Sequence, residues 1–134
     1  MKIIIDTHYL LWTLLDTKKL KEKEKKILTD TENEIFVSSV SLWEISLKYS
    51  INKLELYNFS PSELVETIEK TGFELIELTG YDASNFHLLP KFGNPDPFDR
   101  MLIWQAINRR YYLLSRDKNI KNFKNLGLKI LSII

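Results

Sequence analysis

The sequence predicts an α/β fold with a mainly parallel sheet, because strand-like and helix-like segments alternate along the chain. The first segment, residues 2–5, is a continuous apolar run rich in β-branched side chains, which is typical of a strand buried on both faces. No repeat or low-complexity stretch interrupts the alternation. At 134 residues the chain is long enough for a substantial core, so we expect one domain spanning residues 1–134.

The composition narrows the class of protein. Hydrophobic residues make up 44% of the chain and charged residues 28%, which is typical of globular rather than disordered proteins. The net charge of +1 gives no sign of nucleic-acid binding, so any such surface must come from local clustering. The absence of cysteine excludes disulfides and thiolate metal sites. No signal peptide or membrane span is expected, which favours a soluble, cytoplasmic protein.

The first quarter of the chain predicts a strand followed by two helices. After the strand at residues 2–5, Thr7 is expected to cap a helix over residues 8–15. Residues 18–26 carry six lysines and are interpreted as the solvated face of a short helix, with a phosphate-binding patch as the alternative.

Capping boxes predict the helices that follow the second strand, which is expected at residues 34–38. Ser41 with Glu44 three residues later is expected to open a helix to about residue 51. Ser60 with Glu63 forms a second box, with proline at the first helical position, and predicts a helix ending before Gly72.

The second half of the chain continues the alternation as far as the last strand. The proline at 97 and the apolar run after it predict a long helix. The expected strands cover residues 73–78, 111–115 and 129–133, and the expected helices cover residues 82–89 and 97–110.

Acidic residues follow the predicted strands or open the predicted helices. Asp6 ends the first strand, Glu44 lies near the start of the helix after the second, and Asp117 follows the fourth. Asp96 and Asp99 begin the helix before the fourth strand. The carboxyl ends of parallel strands share one edge of the sheet, where ligands bind, so these acids are expected to converge. Clustered carboxylates raise each other's pKa or require a cation, and hard oxygen ligands select Mg²⁺ or Mn²⁺.

Each acid also has an ordinary structural explanation. Asp96 at the N-cap, proline at the first position and Asp99 at the third make a well-formed helix start. Glu44 fits the capping box, and Asp117 fits a turn. These explanations are comfortable one at a time, but together they require four acids to reach one edge by coincidence.

Four segments resemble, in order and spacing, those of the PIN-domain ribonucleases, with the closest likeness to VapC-type toxins of bacterial and archaeal toxin–antitoxin pairs. The segments are Ile3–Thr7, Ser39–Ile45, Asp96–Ala106 and Leu113–Asp117. The resemblance covers essentially the whole chain. It implies a Rossmann-like three-layer α/β/α sandwich with a five-stranded parallel sheet. It also implies Mg²⁺- or Mn²⁺-dependent cleavage of RNA, a homodimer, and inhibition by a small cognate antitoxin.

The same resemblance assigns roles by position. The catalytic and metal-binding quartet is Asp6, Glu44, Asp99 and Asp117, and the accessory groups are Asp96 and Ser115. Relatives often carry histidine two places before the first aspartate of the Asp-Pro-Phe-Asp segment, where this chain has Asn94.

Basic and aromatic residues add candidates for binding. Arg100, Arg116 and Lys118 lie beside the acids and could engage RNA phosphates, although solvation or ion pairing with the acids explains them equally well. His8 and His87 are expected to be packed or surface residues. The tryptophans at 12, 43 and 104 are expected at core or interface positions, and the first two are candidates for antitoxin or dimer contact.

Two other functions compete with the ribonuclease hypothesis. A receiver-like Mg²⁺-dependent phosphotransfer domain would need an acid pair after the first strand, where this chain offers only Asp6. A catalytically silent PIN-like module for protein or RNA binding would tend to lose acids, whereas all four are present here. Phosphorylation of an acid by a small phosphodonor would favour the phosphotransfer domain, whereas metal-dependent cleavage of RNA that is lost in Asp6→Asn would favour the ribonuclease.

Overall fold

The computed structural model describes residues 1–93 and 95–131 and contains a five-stranded sheet in the order β3-β2-β1-β4-β5. Each neighbouring pair of strands is parallel, so the predicted fold class is confirmed. The third and fourth strands are shorter than predicted, and residues 132 and 133 of the predicted fifth strand lie outside the described residues. The strands are β1 (Lys2–Ile5), β2 (Glu34–Ser38), β3 (Glu74–Ile76), β4 (Tyr112–Leu114) and β5 (Lys129–Leu131).

Helices connect successive strands. Short 3-10 helices lie at Thr17–Lys19, Pro61–Glu63 and Phe86–Leu88, and a longer one covers Lys118–Leu126. Within residues 1–93 and 95–131, no helix has the length and apolar character that a membrane span requires. The α-helices are α1 (Thr7–Leu15), α2 (Glu22–Thr29), α3 (Ser39–Ser50), α4 (Leu64–Lys70), α5 (Gly80–Asn85) and α6 (Pro97–Arg109).

The sheet separates two hydrophobic clusters, and β1 contributes to both. Ile3 and Ile5 belong to one cluster, which includes residues of α1, α2 and α4, whereas Ile4 belongs to the other, with residues of α6 and the Lys118–Leu126 helix. All three isoleucines are fully buried. Successive side chains of a strand point to opposite faces, so the continuous isoleucine run reflects helices on both faces of the central strand.

Two helices begin earlier than the sequence predicted. The cap of α1 is Asp6, whose side chain accepts a hydrogen bond from Tyr9 N at 3.0 Å, and not Thr7. The cap of α3 is Ser38, whose hydroxyl accepts from Val40 N at 3.1 Å, so Ser41 lies inside the helix. In both cases the strand runs directly into the helix, and its last polar side chain satisfies the first free amide groups.

The predicted starts of two other helices are confirmed. The Ser60–Glu63 capping box is present, with Ser60 N donating to Glu63 Oε2 at 3.1 Å, and its first turn is a 3-10 helix that leads into α4. Helix α6 begins as predicted, with Asp96 at the N-cap.

The predicted helix over residues 82–89 is instead α5 followed by a 3-10 turn. The sequence did not predict the 3-10 helix at Lys118–Leu126.

Candidate active site

Strand register places the first acid of the site beside β4. Ile5 pairs with Leu114 across the parallel strands, so Asp6 and Ser115 each lie one residue beyond the same rung. Asp6 N donates to the Leu114 carbonyl at 3.2 Å. Burial raises the pKa of Asp6, although hydrogen bonds from Tyr9 N and Ser115 and the proximity of His8 oppose this shift. A carboxylate in this environment is one that a cation would stabilise.

Two further acids face the same cavity at the carboxyl edge of the sheet. Asp6, Asp99, Ser115 and Asp117 all line a cavity of about 330 Å³. Asp99 comes from the first turn of α6, and Asp117 from the turn after β4, where its backbone N donates to Ser115 Oγ at 3.1 Å. Asp117 also caps the next helix by accepting from Asn119 N at 2.9 Å. Three of the four predicted quartet members therefore share one cavity.

The start of α6 separates the roles of its two acids. Asp96 Oδ1 accepts from Phe98 N at 2.8 Å and from Asp99 N at 3.2 Å, as an N-cap should. Pro97 occupies the first helical position, where a missing amide hydrogen costs nothing. Asp99 then lies at the third position and lines the cavity. The neighbouring Asn94 lies outside the described residues.

Glu44 lies in the second turn of α3 and is held by protein groups. Its side chain is 5% exposed. Thr7 donates to Oε1 at 2.7 Å, and Lys48 donates to Oε2 at 2.6 Å. The bond to Glu44 raises the pKa of Lys48, and the charges of Asp96 and Asp99 add to this effect. Glu44 is thus adjacent to the acids of α6 but carries its own cation, and it is not among the residues that line the cavity.

The donor set around the cavity fits a hard divalent cation. Asp6, Asp99, Asp117 and Ser115 offer only oxygen atoms, the ligands that Mg²⁺ and Mn²⁺ prefer. In the described part of the chain, however, no three acidic or histidine side chains are close enough together to form a ready metal site. The residues therefore suit the ion chemically, and binding requires the carboxylates to draw together.

Arg100 lies in a different environment from the one expected of an RNA contact. Arg100 is only 7% exposed. Its guanidinium donates to the carbonyls of Leu89 and Pro90 at 3.0 and 3.2 Å and lies over the ring of Phe86. Arg100 is therefore a structural residue that fixes the segment before α6, which corrects the sequence-based expectation.

Arg116 is likewise committed to protein groups. Its Nε donates to Glu24 Oε2 at 3.0 Å, its Nη2 donates to Glu24 Oε1, and the guanidinium stacks 4.3 Å from the centre of the Trp12 ring. Tyr9 OH also donates to Glu24, whose side chain is 1% exposed. Burial raises the pKa of Glu24, but the bonds from Arg116, Tyr9 and Lys21 N outweigh it and hold the pKa at about 2. The lysine run at residues 18–26 was predicted to lie on a short helix, and helix α2 carries in addition one buried acid, Glu24.

Lysines form a second cleft beside the acid cavity. The cleft measures about 370 Å³ and shares Ser115, Arg116, Asp117 and Ile120 with the cavity. Four lysines line it, at positions 21, 118, 121 and 124. Lys118 was predicted as an RNA contact. Lys21 belongs to the lysine run at residues 18–26, for which a phosphate-binding patch was the alternative prediction. Lys121 and Lys124 were missed because the 3-10 helix that carries them was not recognised.

The aromatic and histidine candidates are also distributed around the site. His8 is exposed and lines the acid cavity, and Trp12 forms part of its wall. Trp43 is 59% exposed and meets Phe98 edge to face. Trp104 is half-buried and donates to the Asp82 carbonyl at 3.1 Å. His8 was predicted only as a packed or surface residue. Its position two residues after Asp6 was the sequence signal for its place in the cavity.

Comparisons with known proteins agree with this geometry. The sequence matches the PIN domain family over residues 3–126. Among solved structures, the chain is similar to one of VapBC2 from Rickettsia felis bound to a promoter DNA fragment, with a TM-score of 0.68, 17% identity and 100% of both chains covered. It is also similar to one of DNA-bound VapBC from Salmonella typhimurium, with a TM-score of 0.65, 20% identity, and 98% and 97% of the two chains covered. FitAcB from Neisseria gonorrhoeae gives a TM-score of 0.60 at 16% identity, with 97% and 96% covered. No curated protein sequence matches.

Proposed function

Because the chain belongs to the PIN domain family, we propose that it is a divalent-metal-dependent endoribonuclease that acts as the toxin of a toxin–antitoxin pair. The observation that carries the proposal is the cavity at the carboxyl edge of the sheet, which Asp6, Asp99 and Asp117 all line. RNA carries one negative charge per phosphate, which these carboxylates alone would repel. The arrangement is therefore useful for phosphodiester chemistry only with a cation between the acids and the substrate.

Asp6, Asp99 and Asp117 are the proposed ligands of the ion, with Ser115 as an accessory donor. When bound, Mg²⁺ or Mn²⁺ would neutralise the scissile phosphate and make water a stronger nucleophile. The proposed reaction is hydrolysis, which leaves 5′-phosphate and 3′-hydroxyl ends on the products. Glu44 and Asp96 complete the acidic edge as neighbours of this set.

The protein holds each proposed ligand through its backbone connections. Asp6 is fixed by the hydrogen bond from its backbone N to the Leu114 carbonyl and by its cap on α1. Asp117 is fixed by the turn through Ser115 and by its cap on the next helix. Asp99 is fixed in the first turn of α6. Each carboxylate is thus attached to a rigid helix start, which lowers the cost of ordering it for catalysis.

The lysine cleft is the proposed path for the RNA backbone. Lys118 lies directly after Asp117, and Lys121 and Lys124 follow it along the 3-10 helix. A strand that leaves the acid cavity over the shared Ser115–Asp117 wall would place its phosphates against these ammonium groups. Each phosphate contact releases counterions and makes binding salt-dependent.

A small antitoxin and a second copy of the chain are the proposed protein partners. The similar solved structures are of VapBC2 from Rickettsia felis and VapBC from Salmonella typhimurium, each bound to DNA, and the chain matches them over nearly its full length. Expression of the chain without its partner is expected to arrest growth, whereas the Asp6→Asn variant is expected to be tolerated. Co-expression with the product of a neighbouring small gene should relieve the arrest.

The direct test is cleavage of a mixed RNA substrate by wild type and Asp6→Asn in Mg²⁺, in Mn²⁺ and in EDTA. Wild type should cut with either metal and stop in EDTA, and Asp6→Asn should lose at least a hundredfold in rate. Asp30→Asn is the matched control, because Asp30 is an exposed turn residue that caps Glu32 N. Products with cyclic phosphate ends, or full activity in EDTA, would overturn the proposal. Binding of RNA without cleavage would favour the catalytically silent module instead.

The RNA path has its own test in the salt dependence of binding by the inactive Asp6→Asn protein. The slope of log K against log salt is negative, and replacing Lys121 and Lys124 by glutamine should reduce its magnitude by about 1.4 for single-stranded RNA. The control replaces Lys2 and Lys70, which lie at the amino edge of the sheet and at the end of α4. Equal slopes for the two double variants would exclude the lysine cleft as the path.

A further inference from the structure

Lys48 brings a positive charge to the acids of α3 and α6, on a side chain that is 45% exposed. It lies one turn after Glu44 on α3, a spacing at which opposite charges attract on a helix surface. Its Nζ is 2.6 Å from Glu44 Oε2. The other carboxylate oxygen, Oε1, accepts from Thr7 Oγ1 at 2.7 Å. Thr7 Oγ1 also lies 2.9 Å from Ser41 Oγ. Both oxygen atoms of the buried Glu44 therefore already have protein donors.

The same ammonium faces acids from a second helix. Asp96 and Asp99, at the start of α6, are near enough to act electrostatically on Lys48. Helices α3 and α6 pack against each other, so carboxylates of both helices act on the charge of Lys48. Without Lys48, a divalent cation between Glu44 and Asp99 would be needed to neutralise these carboxylates.

We propose that Lys48 takes the place of a second divalent cation, so that this chain binds a single metal ion through Asp6, Asp99 and Asp117. Lys48 keeps Glu44 out of the coordination of that ion and is a positioning residue. An ion bound to Glu44 Oε2 would lie no farther than about 4.7 Å from Nζ, the sum of the 2.6 Å hydrogen bond and a Mg²⁺–oxygen distance of about 2.1 Å. Two cations at that separation repel each other.

The inference rests on the proposed function and is tested by counting bound Mn²⁺ per chain, from the electron paramagnetic resonance signal of the free ion. Wild type and Lys48→Arg should each bind one ion. Lys48→Met should bind two, because Glu44 is then left without the ammonium group that neutralises it. Lys48→Met combined with Glu44→Gln should return to one. A gain of a bound ion is a result that damage to the fold would not produce.

Glu44→Gln alone gives a second, independent measurement. If Lys48 rather than the metal is the partner of Glu44, this variant should still bind one Mn²⁺ with a Kd within about threefold of wild type. Two ions on wild type, one ion on Lys48→Met, or loss of the ion in Glu44→Gln would each overturn the inference. Asp6→Asn separates this outcome from failure of the proposed function, because retention of the ion by Asp6→Asn would exclude the metal site itself.

Discussion

Replacing Glu24 by glutamine is expected to destabilise the fold although Glu24 lies outside the acid cavity. The carboxylate is buried and accepts hydrogen bonds from Arg116, Tyr9 and Lys21 N. Glutamine keeps the shape of the side chain but removes its charge, so the guanidinium of Arg116 loses its ionic partner. Because Arg116 lies between Ser115 and Asp117, the change also loosens one wall of the candidate site.

The magnitude follows from the pKa of Glu24, which falls from its ordinary 4.5 to about 2. At about 1.36 kcal/mol per pKa unit, a shift of about 2.5 units corresponds to about 3.4 kcal/mol of stability. The side chain of Arg116 is 37% exposed, so solvent screening reduces the expected loss to about 2 kcal/mol. For a chain of 134 residues this is a fall in Tm of about 7 °C.

The dependence on pH gives the prediction its sign. A lowered pKa stabilises the fold fully above the unfolded value near 4.5, and this contribution is lost as the pH falls towards 2. Urea unfolding followed by tryptophan fluorescence should therefore show wild type and Glu24→Gln differing at pH 7 and converging between pH 5 and pH 2.5.

The matched control is Glu22→Gln on the same helix. Glu22 is 84% exposed and pairs with Lys25 at the surface, so its loss should change the free energy of unfolding by no more than about 0.5 kcal/mol. Equal stability of the two variants at pH 7, or a difference from wild type that persists at pH 2.5, would refute the reasoning.

Three further substitutions test other parts of the structure. Arg109→Met removes the bidentate partner of the buried Asp82 and should cost about 3 kcal/mol in urea unfolding; additivity with Asp82→Asn would contradict the coupling. Arg110→Gly should raise the free energy of unfolding by about 0.5–1 kcal/mol, because Arg110 ends α6 at φ 58°, where glycine is unstrained. Asp96→Ala should lose about 1 kcal/mol of stability as a lost N-cap, whereas Asp96→Ser should retain it; equal losses would exclude the capping role.

The sequence predicted best where a local pattern and the tertiary structure agree. The isoleucine run of β1 required burial on both faces, and the structure supplies a hydrophobic cluster on each side. The Asp96–Pro97–Asp99 start of α6 is likewise determined by local hydrogen bonds. In such segments neither distant contacts nor the exact register is needed to obtain the correct element.

The sequence failed where a side chain finds its partner far along the chain. Arg116 bonds to Glu24 across 92 residues, and Arg100 bonds to carbonyls of a preceding loop. Both arginines were predicted to be available for phosphate because each lies next to a predicted site acid in the sequence, Asp99 or Asp117. Only the packing of α2 against the turn after β4 shows that the charge of Arg116 is already matched. The misplaced helix starts have a similar cause, since Asp6 and Ser38 serve the strand and the helix at once.

The same overlap explains why the acids of this fold reach one place. A parallel strand that runs directly into a helix leaves its first polar residue at the carboxyl edge, where that residue must cap the helix, and Asp6 does so. Asp117 lies three residues after the end of β4 and likewise caps the helix that follows. Helix α6 begins at this edge. Asp96 is its N-cap, and Asp99 in its first turn lines the cavity. Capping therefore positions two acids directly, and the cap at Asp96 begins the helical turn that carries the third. Helix stability and the proposed metal chemistry thus depend on the same few residues.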